Sequence, residues 1–326
     1  MMQLHPLKFT PVFKYRLWGG DKLKSVLKKE YSEANIGESW EISDVEEGET
    51  VVDSGFFQGK TLKDLTETYK GTFLGQGVYE KFGNKFPLLI KFIDAKTPLS
   101  IQVHPGNEIA KERHNSFGKN EMWYVMEADK DAELIVGFDE KLDKKDYDKY
   151  VIDGSILEVM HHENVAEGDT FYIPTGRVHA IGSGVLLAEI QQTSDITYRI
   201  YDYHRVDAKT GELRDLHNDL AVDVIDFECH EEYKTNYETK TNASNKLVHS
   251  PYFTTNFLII EGTLKKSYIL LDSFVIYICV EGSLELNHNK ESYALKKGET
   301  MLLPASIDTI ELTSLSEKSK LLEVYL

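Results

Sequence analysis

Gly168-Asp169-Thr170-Phe171-Tyr172-Ile173-Pro174 returns 130 positions later as Gly298-Glu299-Thr300-Met301-Leu302-Leu303-Pro304. Gly-acid-Thr reads as a tight turn into a strand, and the closing Pro ends that strand where no ladder donor is needed. Upstream of each copy lies a strand–turn–strand pattern, Trp123 to Val136 in the first and Val275 to Leu286 in the second. Matching flanks around a matching heptapeptide predict two related β-barrel modules rather than a chance echo.

Working outward, short alternating or β-branched runs bounded by Gly, Asp and Asn predict strands over 39–43, 88–92, 99–104, 122–127, 132–137, 170–173, 185–191 and 196–201. Helical patterns are few. Thr61 caps one over 61–69, another starts after Pro105 and runs to 113, and a charged surface helix spans 143–154. The polar stretch 231–246 reads as a connection rather than core.

The two copies differ where chemistry would sit. In the strand Ile101-Gln102-Val103-His104, alternation puts Gln102 and His104 on one face. Glu121 opens a second strand, and His179 lies five residues after Pro174. Two His, a Glu and a Gln at strand ends make a mononuclear metal cage of mixed N/O donors, suited to zinc or iron. Five residues after Pro304 the second copy has Thr309, and it lacks a Gln102/His104 pair. The first module therefore reads as metal-binding and the second as structural. His161, His162 and His217 read as surface residues.

The chain has 326 residues, 41% of them hydrophobic, and a net charge of -17. Such a charge argues against bulk attraction to nucleic acid or an anionic membrane. Cys229 and Cys279 are the two cysteines, which fits a reducing compartment and rules out a cysteine-based zinc site. The first seven residues lack the apolar core of a signal peptide, and no apolar run reaches the ~20 residues that span a bilayer. A cytoplasmic protein is expected, with no sequence signal for its oligomeric state.

The ordered set Trp18-Gly19-Gly20, Gly37-Glu38-Ser39-Trp40-Glu41-Ile42-Ser43, Pro87 to Lys91, Leu99 to Pro105, Gly118 to Tyr124, Ile173 to Ala180 and Gln192 to Arg199 resembles the type I mannose-6-phosphate isomerases, in their short bacterial form. The resemblance runs over most of the chain. It implies a mainly β fold of two cupin-like, jelly-roll barrels with a few short helices. The expected division is a catalytic metal-binding domain at 1–235 and a degenerate cupin domain at 236–326. Larger members insert a helical domain between the metal glutamate and the last metal histidine. Only 57 residues lie between Glu121 and His179, so that insertion is absent or reduced to 143–154.

The resemblance implies interconversion of mannose 6-phosphate and fructose 6-phosphate through an enediol. It implies one zinc per chain, held by Gln102, His104, Glu121 and His179. Gln102 has a competing reading as a hydrogen-bond partner of another ligand, because a neutral amide is a poor zinc donor. Arg199 resembles the family's catalytic arginine, against the bland reading of a salt bridge to Asp202. Lys119, two residues before Glu121, and Asp195, four before Arg199, rank together as proton carriers, with a lowered Lys119 pKa expected beside zinc. Lys91 stands in an apolar strand and needs an anionic partner, either substrate phosphate or Glu41. Ser100 and Trp18 complete the expected substrate contacts.

Two other classes fit parts of this pattern. Two His and a carboxylate also describe non-haem iron oxygenases. The cationic set Lys91, Lys119 and Arg199 favours a phosphorylated substrate instead. A non-catalytic sugar-phosphate sensor would show a degraded metal set and an output domain, and the first module shows neither.

Overall fold

Both copies of the repeated heptapeptide turn the chain with the same hydrogen bonds. Gly168 and Gly298 sit at φ +94° and +83°, a region that glycine enters without a Cβ penalty. Gly168 N donates to Val125 O and Gly298 N to Cys279 O, each at 2.9 Å. Val125 N returns to Asp169 O, and Cys279 N to Glu299 O. The acid caps its own turn in both, Asp169 on Ala166 N and Glu299 on Lys296 N. The echo in sequence is therefore an echo in structure.

The computed structural model describes residues 4–326; residues 1–3, part of the start read for a leader, lie outside them. The first module pairs two antiparallel sheets. One runs in the order Thr170–Ile173, Glu121–Ala128, Val185–Gln192, Leu88–Ala95, Val12–Gly20, Ile36–Ile42. Its companion runs Tyr198–Tyr201, Ile101–Val103, His179–Ile181, Glu133–Phe138, Met160–Asn164. The second module repeats the plan. Asn245–His249, Thr254–Ile260, Ser319–Tyr325, Val275–Glu281 and Thr300–Leu303 form one sheet, and Thr263–Ser267, Thr309–Ser314, Ser283–His288 and Glu291–Lys296 the other. The fold is mainly β and cupin-like as expected, with the sheets facing in pairs rather than closing into continuous barrels.

Strand alternation builds the layers. Trp123 and Val125 face the first module's own core with Phe171, Leu134 and Ile181. Met122, Tyr124 and Met126 face the other way and pack with Phe257, Ile276 and Leu322 of the second module. Each fully buried ring such as Phe171 contributes about 1.5–3 kcal/mol relative to exposure. A sheet buried on both faces explains why these strands read as nearly continuous apolar runs.

The three expected helices are present as Leu62–Tyr69, Asn107–His114 and Lys144–Asp153. The first and third start with capping boxes, Thr61 with Asp64 and Asp143 with Asp146. Four further short helices among the described residues, Lys22–Ser25, Gly71–Leu74, Gln76–Phe82 and Asn218–Ala221, were not legible in the sequence. The stretch 231–246 is more than a connection. Tyr233 is buried in the first module's core, Tyr237 OH donates to Gly168 O at 2.6 Å, and Asn245 is buried at the start of a strand.

Candidate active site

Register assembles the site. His179 lies directly opposite Gln102, and Gln102 opposite Arg199, on three neighbouring strands. Glu121 opens its strand opposite Ile173, just before the Pro174–Arg177 turn that delivers His179. His104, Glu121 and His179 are all buried, and one donor atom of each lies within 4.8 Å of the others.

The tautomers are set by backbone. His104 Nδ1 donates to Ile196 O at 2.9 Å, and His179 Nδ1 to Arg177 O at 2.8 Å. Both Nε2 atoms are then lone-pair acceptors, yet they face each other at 3.1 Å. Glu121 Oε2 lies 3.6 Å from His104 Nε2, and Glu121 Oε1 is 3.3 Å from His179 Nε2 with no hydrogen-bond donor of its own. Two opposed lone pairs beside a buried carboxylate fit a divalent cation. Burial, with the Lys119 cation nearby, pushes His104 well below its ordinary value, and burial takes His179 down to about 3. Neutral imidazoles are the ligating form. Gln102 Nε2 donates towards His179 Nε2 at 3.3 Å, so in this arrangement Gln102 is a hydrogen-bond partner of His179.

Lys119 is buried and reaches Glu121 Oε2 and His104 Nε2, the latter at 3.1 Å. Alternation from Glu121 does bring the two side chains together. The lowering expected for Lys119 belongs to the site with zinc bound; the protein's own groups pull its pKa in two directions. Burial acts to lower it, but the Glu121 and Glu189 carboxylates outweigh burial and raise it. Burial and the neighbouring Glu189 charge together raise the Glu121 carboxyl.

Above this cluster opens a cavity of about 390 Å³. Trp18, Lys91, Ser100, Gln102, Lys119, Asp195 and Arg199 all line it. Asp195 is exposed at the rim. Arg199 does not pair with Asp202; its Nη1 donates to Asp215 O at 2.7 Å. Glu41 is a correction. It is the extra residue of a bulge between Trp40 and Ile42, faces a different cleft, and pairs with Lys29 at 2.7 Å. Lys91 instead meets Glu189 Oε1 at 3.1 Å, in the register position directly opposite.

Glu189 was missed. Trp123 Nε1 donates to its other oxygen at 2.9 Å, so the carboxylate is held between a lysine and an indole. The signal was present: an acid inside the apolar strand Val185–Gln192 demands the same explanation as Lys91. Arg16, Glu38 and Arg214 also line the cavity. His161 and His162 are surface residues as read, on the strand Met160–Asn164 beside Asp139 and Glu133 at 2.7 and 2.9 Å.

Paired sheets in two modules, with a buried His/Glu/His set fit for a metal ion in one of them, define a double cupin with a candidate metal site. Residues 7–140 match the phosphomannose isomerase type I catalytic domain, and residues 243–324 the cupin domain of mannose-6-phosphate isomerase. The chain is 36% identical to the mannose-6-phosphate isomerase ManA of Bacillus subtilis, over 97% of this chain and 98% of that protein. It is 33% identical to the Streptococcus mutans mannose-6-phosphate isomerase over 93% of each. A crystal structure of the Bacillus subtilis mannose 6-phosphate isomerase superposes with a TM-score of 0.89 at 32% identity, covering 98% of this chain and 99% of that one. A mutant phosphomannose isomerase from Salmonella typhimurium shares the fold, with a TM-score of 0.78 at 16% identity, over 98% and 99%. The chain belongs to the mannose-6-phosphate isomerase family, of type I, and is an aldose–ketose isomerase.

Proposed function

We propose that this enzyme interconverts mannose 6-phosphate and fructose 6-phosphate by moving a proton between C1 and C2 through an enediol. The facing Nε2 lone pairs of His104 and His179 beside Glu121, at the floor of a charged cavity, carry this reading. His104, Glu121 and His179 would hold zinc, with Gln102 beside them. When bound, zinc supplies a Lewis acid for the substrate carbonyl and hydroxyl oxygens.

The chain's own groups do the rest. Lys119 Nζ, at the cavity floor beside Glu121 and Glu189, is the group placed to carry the proton: its neutral amine would take it from one reacting carbon and its ammonium would return it to the other. Asp195, at the rim, orients the sugar hydroxyls. Arg199 brings a fixed cation to the substrate's anionic charge. Lys91, braced by Glu189, and Ser100 donate to substrate oxygens, while Trp18 walls the cavity and excludes water. The described helices include none long and apolar enough to cross a membrane. Both cysteines are free thiols, which fits the reducing cytoplasm.

The test is a coupled assay on purified enzyme before and after chelation, with metal analysis, followed by turnover in deuterated water. Chelator-sensitive conversion with about one zinc per chain and deuterium entering the product carbon is expected. Conversion without solvent exchange would replace the enediol with a hydride shift.

A further inference from the structure

A loop beyond the Tyr198–Tyr201 strand folds back across the cavity mouth. It is closed by the Val206–Leu213 bridge. Asp202 staples its base, accepting from Arg205 Nη2 at 2.5 Å and from Arg214 Nε and Nη2 at 2.8 and 2.5 Å. Its tip is latched to the N-terminal strand, where Tyr15 OH donates to Asp207 Oδ1 at 3.2 Å and Lys209 Nζ lies 3.9 Å from the Tyr15 ring. The loop thereby brings Arg214 into the cavity that Arg16 and Arg199 already line.

Three guanidinium groups share this end of the cavity, and their partners are unequal. Arg16 makes a two-pronged pair with Glu38, both bonds at 2.9 Å. Arg214 is paired with Asp202 through two of its nitrogens, leaving Nη1 without a partner among the described residues. Arg199 has no carboxylate partner among the described residues, and its Nε is buried without an acceptor. Burial and the charges of Arg214 and Arg16 all push the Arg199 pKa down, while Asp202 and Asp215 pull it back. Asp195 and Asp207 also line the cavity, but Asp207 is taken up by Tyr15 OH and Lys209 N. A buried guanidinium N–H with no acceptor, beside two more guanidiniums, is an anion site.

The site stands at a useful distance from the metal cluster. Arg199, Gln102 and His179 lie in one row across three strands, so Arg199 is about 10 Å from His179 at the usual strand spacing. An extended six-carbon chain bearing a phosphate spans such a gap with its carbonyl end on the cluster.

We propose that Arg214 and Arg16, together with Arg199, clamp the substrate's 6-phosphate, and that Arg214 on its loop sets the preference for phosphorylated over free aldoses. This rests on the isomerase reading of the same cavity. Kinetics of the holoenzyme with mannose 6-phosphate and with unphosphorylated mannose, plus inhibition by inorganic phosphate, test it in wild type, Arg214→Gln, Arg214→Lys and Arg16→Gln. Loss of one charge-assisted pair is worth about tenfold or more in binding. Arg214→Gln is expected to raise KM for mannose 6-phosphate by at least that factor and to weaken phosphate inhibition in step. The ratio of kcat/KM for phosphorylated over free mannose should collapse, and Arg214→Lys should recover part of it. A merely structural role for Arg214 would move both sugars together. Values within twofold of wild type in both Gln variants overturn the clamp, and Arg16→Gln decides alone if Arg214→Gln does not fold. If wild type fails to turn over mannose 6-phosphate, the isomerase reading fails, and calorimetric titration of inorganic phosphate still decides the clamp: binding to wild type lost in Arg214→Gln supports it, and binding absent or equal in both overturns it.

Discussion

The two modules share a frame and differ in what the frame carries. Glu189 lies opposite Lys91 on one neighbouring strand and Trp123 on the other, while Glu323 lies opposite Asn256 and Tyr277 in the same way. Both modules therefore bury a carboxylate at one register position. In the first, Glu189 borders the cavity and steadies Lys91, with Lys119 at 3.9 Å. In the second, Glu323 is sealed in by Tyr268, Tyr277, Asn256 and Lys266. The candidate metal positions diverge as well. Opposite pair Gln102–His179 corresponds to Ser267–Thr309, and Glu121 opposite Ile173 corresponds to Val275 opposite Leu303. Backbone hydrogen bonds and turn glycines maintain the frame; chemistry resides in a few side chains that the frame tolerates changing.

The largest effect should separate the metal positions. His179→Ala is expected to lose bound metal and about 10³-fold in turnover, the scale of several kcal/mol of Lewis-acid stabilisation. Thr309→Ala, its counterpart, should change neither. Elemental analysis with a turnover assay reads both, and retained metal in His179→Ala would remove that residue from the site.

The buried carboxylates come next. Lys91→Asn installs the second module's residue in the first and leaves Glu189 short of a partner. It should cost about 3 kcal/mol, the low end for a broken buried pair because Trp123 remains, and lower turnover too. Glu323→Gln should cost a similar amount in denaturant midpoint with turnover preserved below the melting range. Equal loss of activity in both would mean the second module contributes to catalysis.

A smaller contrast lies in the twin turns. Gly168→Ala and Gly298→Ala each impose about 1–2 kcal/mol for a Cβ at positive φ. At Gly298 the new Cβ also meets Leu27 Cβ at 2.8 Å, whereas at Gly168 the nearest atom is Tyr237 OH at 3.4 Å. Thermal melting should rank Gly298→Ala as the less stable.

The smallest is a slope with pH. Burial acts to raise Glu38, but Arg16, Lys91 and the Trp40 indole outweigh it and hold the carboxyl at about 2. A folded value below the ordinary one contributes stability that is present above about pH 4.5 and lost as pH falls towards 2. Glu323 is likewise held low, chiefly by Lys266 against burial, so both modules weaken in acid. Urea midpoints between pH 5 and 3 should fall less steeply in Glu38→Gln than in wild type; parallel slopes would exclude Glu38 as a source.

Much of the site was legible because its signals are local. A heptapeptide with glycine, an acid and proline at set places specifies a turn and a strand end wherever it occurs, so two copies announce two modules. Period-two alternation joins Gln102 to His104 and Lys119 to Glu121 without knowledge of any other strand. Sequence left Glu41 open as the partner of Lys91, because nothing local shows that a bulge inserts one residue and turns its side chain away. Lys91 announced that it needed an acid but not which one, since its partner lies 98 positions away on a strand chosen by sheet order. Arg16 and Arg214 carry no local mark at all, and only the folded-back loop brings them to one cavity. Sequence by itself determined the two-module plan, the turns that define it and the residues able to ligate a metal, because these follow from propensity and spacing along the chain. Tertiary structure alone decided which charges meet across the sheets and which face the cavity, because register, bulges and loop closure are settled by contacts between distant segments.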